Sequence, residues 1–572
     1  MNGTPLNIRL RARSALLLVA FLLAAFALAG RAVQLQVIDK GFLLDQGAAR
    51  HVRTIQVPAH RGMITDRFGE PLAVSTPVDS IWVNPKELLA APTRIPALSR
   101  AVGLPPATVL RHVRERADRE FVYLKRHMSP DDARQVLALG IPGVYSQREY
   151  RRYYPAGEVT AHVLGFTNID DAGQEGLELA FDASLRGMPG VKRVIKDRLG
   201  RSVEDIENIR SPRPGEDLRT SLDLRLQYLA YRELKAAVLE NGARGGSIVV
   251  LDARTGEILA MANQPSFNPN DRGRAAPDAL RNRAATDVFE PGSSFKPFPI
   301  AAALESGGYR PRTLIDTSPG FFKVGSTDIR DERNFGLIDV TTVLTKSVNT
   351  GASKIALALE RETLWATLAG FGFGSQTGSG FPGEQGGALP HYQRWRTINV
   401  ATMAYGYGVS VTTLQLAQAY AVFAADGVRR RLSLVPVGGD VPGERVISVK
   451  TAREMRAMLE TVVSDAGTAG RAAVRGYRVS GKTGTARKAV PGGYAPDRHV
   501  AVFAGMAPAT RPRVVIVVML DEPKAGRYHG GEVAAPVFAK VMGGALRLMD
   551  VPPDGFVRQE AQPFAVAVRG SP

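Results

Sequence analysis

The hydrophobic pattern changes character along this chain. Residues 15–30 are continuously apolar, with Arg9, Arg11 and Arg13 before them and Arg31 after them. A bilayer core asks for about 20 helical residues, with roughly 17 at the lower end, and local thinning with snorkelling arginines covers a small shortfall. The run therefore predicts one membrane helix. The basic cluster ahead of it places residues 1–14 in the cytoplasm and everything after the helix outside. A cleaved signal peptide is the rival reading, because Ala27-Leu28-Ala29 resembles a small-x-small cleavage site. Under both readings the folded part is extracytoplasmic.

From 31 to about 214 the pattern is mixed and rich in turns. Residues 61–73 read as strand, tight turn, strand, with Gly69 supplying a positive φ. Residues 129–139 have helical spacing, with Ser129 or Asp131 near the N-cap. Nothing in this stretch sets a nucleophile beside a base, and its plain role is a pedestal. Ser211-Pro212-Arg213-Pro214-Gly215 suits a domain boundary. A second domain, residues 215–550, begins with Thr220-Ser221-Leu222-Asp223, a capping-type start to a helix that runs to about Glu240. Residues 247–252 and 257–263 are apolar runs joined by a tight turn, hence an antiparallel hairpin. Residues 477–487, 499–505 and 513–521 are three more strand-like runs, connected too briefly for parallel crossovers. Between these groups the spacing is helical, as in residues 412–425 with Leu414, Ala417, Tyr420 and Ala421. Strand-rich ends around a helical middle predict an α+β domain, an antiparallel sheet flanked by helices. Residues 551–572, with four prolines, read as a loose tail.

Composition narrows the chemistry. A chain of 572 residues is too long for one ordinary core. Its 44% hydrophobic and 22% charged residues are globular values. There is no cysteine, which excludes disulfides, thiolate metal sites, a cysteine nucleophile and a lipidated cysteine anchor. The 8 histidines are scattered without ligand spacing, so neither a metal nor any other cofactor is expected. The formal net charge of +18 raises nucleic acid as a partner. The charge is spread over the whole length and no nucleic-acid-binding motif accompanies it, so no nucleic-acid partner is expected. Gly378-Ser379-Gly380-Phe381-Pro382-Gly383 matches GxGxxG but lacks the preceding strand and following helix of a dinucleotide site.

Three short segments carry candidate chemistry. In Ser293-Ser294-Phe295-Lys296, Glu290-Pro291-Gly292 breaks the chain just ahead, so Ser293 falls near a helix N-terminus and Lys296 about one turn on. A serine needs a base before it can attack, and a lysine in a dry cleft can have its pKa lowered enough to serve. Pro297 and Pro299 should disturb the first turns of that helix. In Ser347-Val348-Asn349 a hydroxyl could relay a proton and an amide could bind a peptide carbonyl. In Lys482-Thr483-Gly484-Thr485 a cation and two hydroxyls lie on a glycine-bearing strand. Such a strand admits close backbone approach and could hold an extended peptide ending in a carboxylate. Alone, each segment is as readily a helix cap, a Ser or Asx turn, or an edge strand. In this order, behind a membrane segment, they match the SxxK, SxN and KTG set of penicillin-binding proteins and β-lactamases.

Over nearly its whole length the chain resembles the class B penicillin-binding proteins, single-span D,D-transpeptidases of peptidoglycan. Residues 61–73 look like that family's first pedestal motif, and Gly173-Gln174-Glu175-Gly176-Leu177-Glu178 looks like a second. The segments 154–162 and 165–168, Gly406-Tyr407-Gly408, and Tyr528-His529-Gly530-Gly531 are similar to the septal, cell-division type. The elongation type is the runner-up. The resemblance implies Ser293 as the acylated nucleophile, Lys296 as its base, Ser347 as the proton shuttle and Lys482 as part of the proton and charge network. It implies that Asn349, Thr483, Gly484 and Thr485 hold the donor peptide or its β-lactam mimic. The oxyanion hole would be the backbone N–H groups of Ser293 and Thr485. The implied partners are stem peptides ending in D-Ala-D-Ala, β-lactams, the inner membrane, and divisome membrane proteins including a glycosyltransferase. The catalytic domain would be periplasmic. Two further readings are a β-lactamase or β-lactam sensor, and a non-enzymatic scaffold. No dedicated deacylation motif supports the first, and the intact three-segment set argues against the second.

Overall fold

The computed structural model describes residues 6–40, 52–196, 202–439 and 441–555. Helix α1, Leu6–Val33, opens the chain and passes directly into a five-residue π-helical stretch, Gln34–Ile38. Within these, Ala12–Ile38 is long and apolar enough to cross a membrane, with a mean hydropathy of 2.4 over its most apolar window. The helical span thus exceeds the expected 15–30, because Ala32, Val33, Leu35, Val37 and Ile38 extend the apolar stretch past Arg31.

Two compact units form, and neither is contiguous. One gathers residues 1–60, 76–151 and 187–215; the other gathers 61–75, 152–186 and 216–572. In the first, strand Gly190–Lys196 pairs antiparallel with Val52–Val57 on one side and Ser202–Arg210 on the other. Its core collects Ile81 and Val83, Val122 and Met128, and the inward residues of helices Ile95–Val102, Pro106–Arg114 and Pro130–Ala138. Ser129 caps the last of these helices, accepting from the Asp132 N–H at 3.1 Å.

The larger unit is built on a five-stranded antiparallel sheet. Its strands are β1 (Gly245–Asp252), β2 (Ile258–Gln264), β3 (Ser480–Val490), β4 (Gly493–Ala507) and β5 (Val514–Asp521), in the spatial order β2-β1-β5-β4-β3. Central β5 reads Val-Val-Ile-Val-Val-Met-Leu-Asp rather than alternating, because helices cover both faces. The adjacent residues Gly246 and Ser247 reveal this. A Cβ on Gly246 would meet Leu234 of helix α2 (Leu224–Glu240), whereas the Ser247 hydroxyl meets that of Thr413, at the start of helix Thr413–Ala424, 2.7 Å away. Between the two strand groups lie α3 (Pro297–Glu305), α4 (Val340–Thr345), α5 (Asn349–Leu357), α6 (Thr413–Ala424) and α7 (Val449–Val462); α8 (Ala535–Leu548) follows the sheet and packs against α2. Helix α2 starts where Asp223 accepts from the Arg225 N–H, and α6 where Thr412 accepts from the Gln415 N–H.

The same unit includes the segments 61–75 and 152–186. Arg61 is fully buried and donates to the Glu178 and Asp182 carboxylates at 2.7 Å and to the carbonyls of Asp171 and Glu178. Arg152 approaches the other oxygen of Glu178 at 2.6 Å. Gly69 has φ +95°, and Asp66 holds that turn by accepting from the N–H groups of Phe68 and Glu70. Two expectations are corrected. Residues 551–555 are not loose, because Val551 is buried, its carbonyl accepts from the Tyr477 hydroxyl, and Asp554 accepts from Arg478 and Thr510. The remainder of that tail, 556–572, lies outside the described residues. The prolines also do not disturb α3. Pro297 and Pro299 occupy its first and third positions, where backbone N–H groups have no intrahelical acceptor to lose.

Candidate active site

Ser293 sits in a tight 3₁₀ turn, Gly292–Phe295, that leads into α3. The turn is pinned from two sides. The Ser294 hydroxyl donates to the Pro291 carbonyl at 2.7 Å, and the buried Tyr420 hydroxyl of α6 donates to the Ser294 carbonyl at 2.8 Å. Strand β3 comes up against the same turn. A Cβ on Gly484 would lie 2.5 Å from the Pro291 carbonyl oxygen and 2.9 Å from the Ser294 hydroxyl, so only glycine permits this approach.

The turn delivers Lys296 into the interior, with no solvent exposure. Its Nζ lies 3.0 Å from Ser293 Oγ, 3.1 Å from Ser347 Oγ and 2.8 Å from Asn349 Oδ1, and it also contacts the Ser347 carbonyl. Two of these partners, the carbonyl and the Asn349 amide oxygen, only accept. They hold two N–H bonds of the amine. The next position carries an N–H if the lysine is charged and a lone pair if it is neutral. Burial pushes the Lys296 pKa well below the ordinary lysine value, and the nearby Lys482 adds to this, while Asp331 opposes it. A lone pair facing a serine hydroxyl is the arrangement a general base requires.

Lys482 on β3 is equally buried, and burial depresses it to about 7. Its Nζ is 3.0 Å from Ser347 Oγ and 3.2 Å from Thr483 Oγ1. Ser347 Oγ therefore bridges two lysines, which stand at most about 6 Å apart. Ser347 reaches that point through unusual backbone. It has φ +60° and follows α4; its N–H bonds the Leu344 carbonyl, and the Val348 N–H bonds that of Val343. These are the two bonds of a Schellman motif, and the residue between them normally is glycine.

Asn349 is the first residue of α5. Asp331 caps that helix, accepting from the N–H groups of Asn349 and Thr350 and from the Thr350 hydroxyl. Asn349 Nδ2 donates to the Arg330 carbonyl. Thr483 Oγ1 lies 3.0 Å from the hydroxyl of Thr468, and Thr485 Oγ1 accepts from the Gly530 N–H at 3.1 Å. Ser293, Ser347, Asn349, Thr483 and Thr485 all line one cleft of about 970 Å³. The lysines lie behind the hydroxyls, and Gly484 shapes the wall by closeness alone. β3 is an edge strand of its sheet, so its outer edge can pair with an extended chain.

All eight positions singled out in the sequence thus converge around this cleft, although the motifs lie far apart in the chain. Asp331 and Thr468 were missed. Asp331 sits in Arg330-Asp331-Glu332-Arg333, which reads as a solvated charge run, and Thr468 in a run of small residues. Neither carries a local signal of its role. Among the described residues no group of His, Asp and Glu could hold a metal ion.

Comparison with known proteins shows the family to which the chain is similar. Residues 246–543 match the penicillin-binding protein transpeptidase domain, and residues 56–220 the penicillin-binding protein dimerisation domain. The chain is 45% identical to the probable peptidoglycan D,D-transpeptidase PbpC of Pseudomonas aeruginosa, over 95% of this chain and 96% of that protein. It is 44% identical to the peptidoglycan D,D-transpeptidase FtsI of Escherichia coli K12, over 97% of this chain and 95% of that one. Among solved structures, the transpeptidase domain of Burkholderia pseudomallei penicillin-binding protein 3 is 43% identical, with a TM-score of 0.55, covering 59% of this chain and 97% of that one. Penicillin-binding protein 3 of Mycobacterium tuberculosis, solved with aztreonam, is 30% identical with a TM-score of 0.68, covering 87% of this chain and 98% of that one. With one N-terminal helix able to cross a membrane, a dimerisation domain and a transpeptidase domain, the chain belongs to the class B penicillin-binding proteins.

Proposed function

We propose that this protein is a serine D,D-transpeptidase that crosslinks peptidoglycan stem peptides, and that it works at the division septum. The observation that carries the enzymatic reading is the buried Lys296 amine, held 3.0 Å from a serine hydroxyl that faces the cleft. The septal assignment rests on the likeness to FtsI.

In the first half-reaction the neutral Lys296 amine takes the proton of Ser293 Oγ. The oxygen attacks the carbonyl of the penultimate D-alanine, and the backbone N–H groups of Ser293 and Thr485 receive the developing oxyanion. Ser347, hydrogen-bonded to Lys296 and Lys482, passes a proton to the departing amine. The peptide C–N bond breaks, D-alanine leaves, and an ester remains on Ser293. Thr483 and Thr485 hold the terminal carboxylate, and Asn349 a donor carbonyl. In the second half-reaction an amine of a neighbouring stem peptide attacks the ester. Its proton returns through the same network, an amide forms and Ser293 regains its hydrogen. A β-lactam enters as the donor does, but its leaving nitrogen stays tethered, so the ester persists.

The same reading puts residues 1–14 in the cytoplasm and the catalytic domain, 215–550, in the periplasm, carried by a pedestal of residues 31–214 whose segments 61–75 and 152–186 pack within the larger unit. Its partners would be divisome membrane proteins that include a glycosyltransferase.

The test is the fate of the ester. An acyl-enzyme lasting tens of thousands of seconds has a barrier of roughly 24 kcal/mol, whereas hydrolysis at about 10 per second needs only about 16 kcal/mol. The full-length protein in detergent should hold a penicilloyl group for many minutes or longer. It should convert a thioester or lipid-linked donor into a crosslinked product when an amine is supplied. Rapid recovery of free enzyme with catalytic consumption of penicillin would instead make it a β-lactamase.

A further inference from the structure

The larger unit contains a second cavity, apart from the cleft and sharing no lining residue with it. Its volume is about 700 Å³. It is lined by Arg254 in the β1–β2 turn, Arg430 of strand Val428–Arg430, Arg453 and Arg456 of α7, Arg478 ahead of β3, and Arg511 in the β4–β5 turn. Only two carboxylates share the lining, Asp426 and Glu460, so four positive charges are in excess. Both carboxylates are already committed. Asp426 holds Arg456 at 2.8 Å, with Arg453 farther off at 3.8 Å, and Glu460 grips Arg478 through both oxygens at 2.6 and 2.7 Å. Exposed Arg254 and Arg511 and half-buried Arg430 have no ion-pair partner among the described residues. The Nε–H of Arg430 is buried with no acceptor. A buried N–H without an acceptor is costly, and like charges gathered around one hollow repel. Burial first, then Arg513 outside the hollow and Arg511 within it, lower the Arg254 pKa, against the opposing pull of Asp252.

We propose that this arginine-lined cavity is a binding site for a phosphoryl-rich anion carrying two or more phosphate groups. Guanidinium forks match phosphate oxygens two at a time, and several such groups around a ligand-sized hollow suit a diphosphate better than a single carboxylate. The ligand would bridge the three unpaired arginines through their terminal N–H groups. Another wall of the cavity, at the paired Arg456, is joined to the strand and helix that frame the cleft, away from the three unpaired arginines. Ser480, which opens β3, donates to the Arg456 carbonyl at 2.8 Å, and α7 leads on to Thr468 beside Thr483. The inference is independent of the transpeptidase reading.

Inorganic pyrophosphate is the probe, titrated calorimetrically into the full-length protein in neutral detergent at physiological ionic strength. We expect one equivalent to bind and to raise the melting temperature. The triple variant R254A/R430A/R511A should bind at least about tenfold more weakly. Its own melting temperature should not fall, because repulsion is relieved. Arg511→Glu, on a surface turn, should weaken binding in the same direction and serves if the triple variant does not fold. Protein already acylated by penicillin should bind pyrophosphate unchanged. Absence of saturable binding, undiminished affinity in the variants, or loss of binding on acylation would each overturn the proposal. The source of the phosphate is read in nanodiscs. Weaker pyrophosphate binding with cardiolipin, which carries two phosphates, than in phosphatidylcholine identifies lipid headgroups as the occupant, and equal binding identifies a soluble anion.

Discussion

Ser347 offers an unusual separation of stability from function. It occupies the left-handed position of a Schellman motif, with φ +60°, where a side chain costs roughly 1–2 kcal/mol relative to glycine. Its hydroxyl is the single atom that bridges Lys296 and Lys482. Two substitutions dissect this. Ser347→Ala and Ser347→Gly both remove the hydroxyl, so both lose the same hydrogen bonds and the same proton relay. They differ only in the backbone: alanine keeps the left-handed strain and glycine releases it. Ser347→Gly should therefore be more stable than Ser347→Ala by about 1 kcal/mol, the reverse of their order inside a helix. In a unit of this size that is a difference of about 1–3 °C in melting temperature. Acylation by a fluorescent penicillin should fall in both by a similar factor, on the order of 10²–10⁴. Thermal unfolding and stopped-flow labelling of the three purified proteins make the comparison. If the alanine variant proves the more stable, or if the glycine variant acylates at the wild-type rate, the reasoning about this residue fails.

Other consequences follow from the same contacts. Acylation should speed up as pH rises through a limb near 7, since Lys482, bonded to the Ser347 relay, can take up a proton only once it is neutral; a flat rate from pH 6 to 9 would contradict this. The Lys296 and Lys482 pKa values are both depressed by folding, so the unfolded chain binds more protons between about pH 7 and the ordinary lysine value of roughly 10.4. Stability should rise with pH across that window, and less steeply in Lys482→Met. Gly484→Ala would push a methyl to within 2.5 Å of the Pro291 carbonyl, displacing the Ser293 turn and slowing acylation by about 10²-fold, while a neutral effect would show that the strand can move away. Arg61→Leu leaves buried acidic groups short of a partner and should cost about 3–5 kcal/mol, measurable by denaturant unfolding.

The sequence made the sheet legible, and the reason is local. Hairpins, capped helices and β-branched runs such as residues 514–521 carry their own signals, and the strands appear where expected. The chemistry was legible because lysine, serine and glycine stand at fixed short spacings. Three things were not readable. Residues 61–75 and 152–186 join the larger unit through long-range bonds with no sequence periodicity, such as Gln227 Nε2 to the Val159 carbonyl and Asn270 Nδ2 to that of Tyr154, while Arg61 and Arg152 tie the two segments to each other at Glu178. Asp331 caps α5 from another part of the chain, so nothing near Asn349 announces it. The left-handed backbone of Ser347 was invisible because serine, unlike glycine, does not advertise that conformation.

The central claim is that Ser293, and no other hydroxyl, is the nucleophile that Lys296 activates. Peptide mass spectrometry of penicillin-treated full-length protein tests it most directly. The account predicts a single penicilloyl group on Ser293, lost in Ser293→Ala and strongly slowed in Lys296→Ala although both variants remain folded. A label on any other residue, or undiminished labelling of Ser293→Ala, would contradict it.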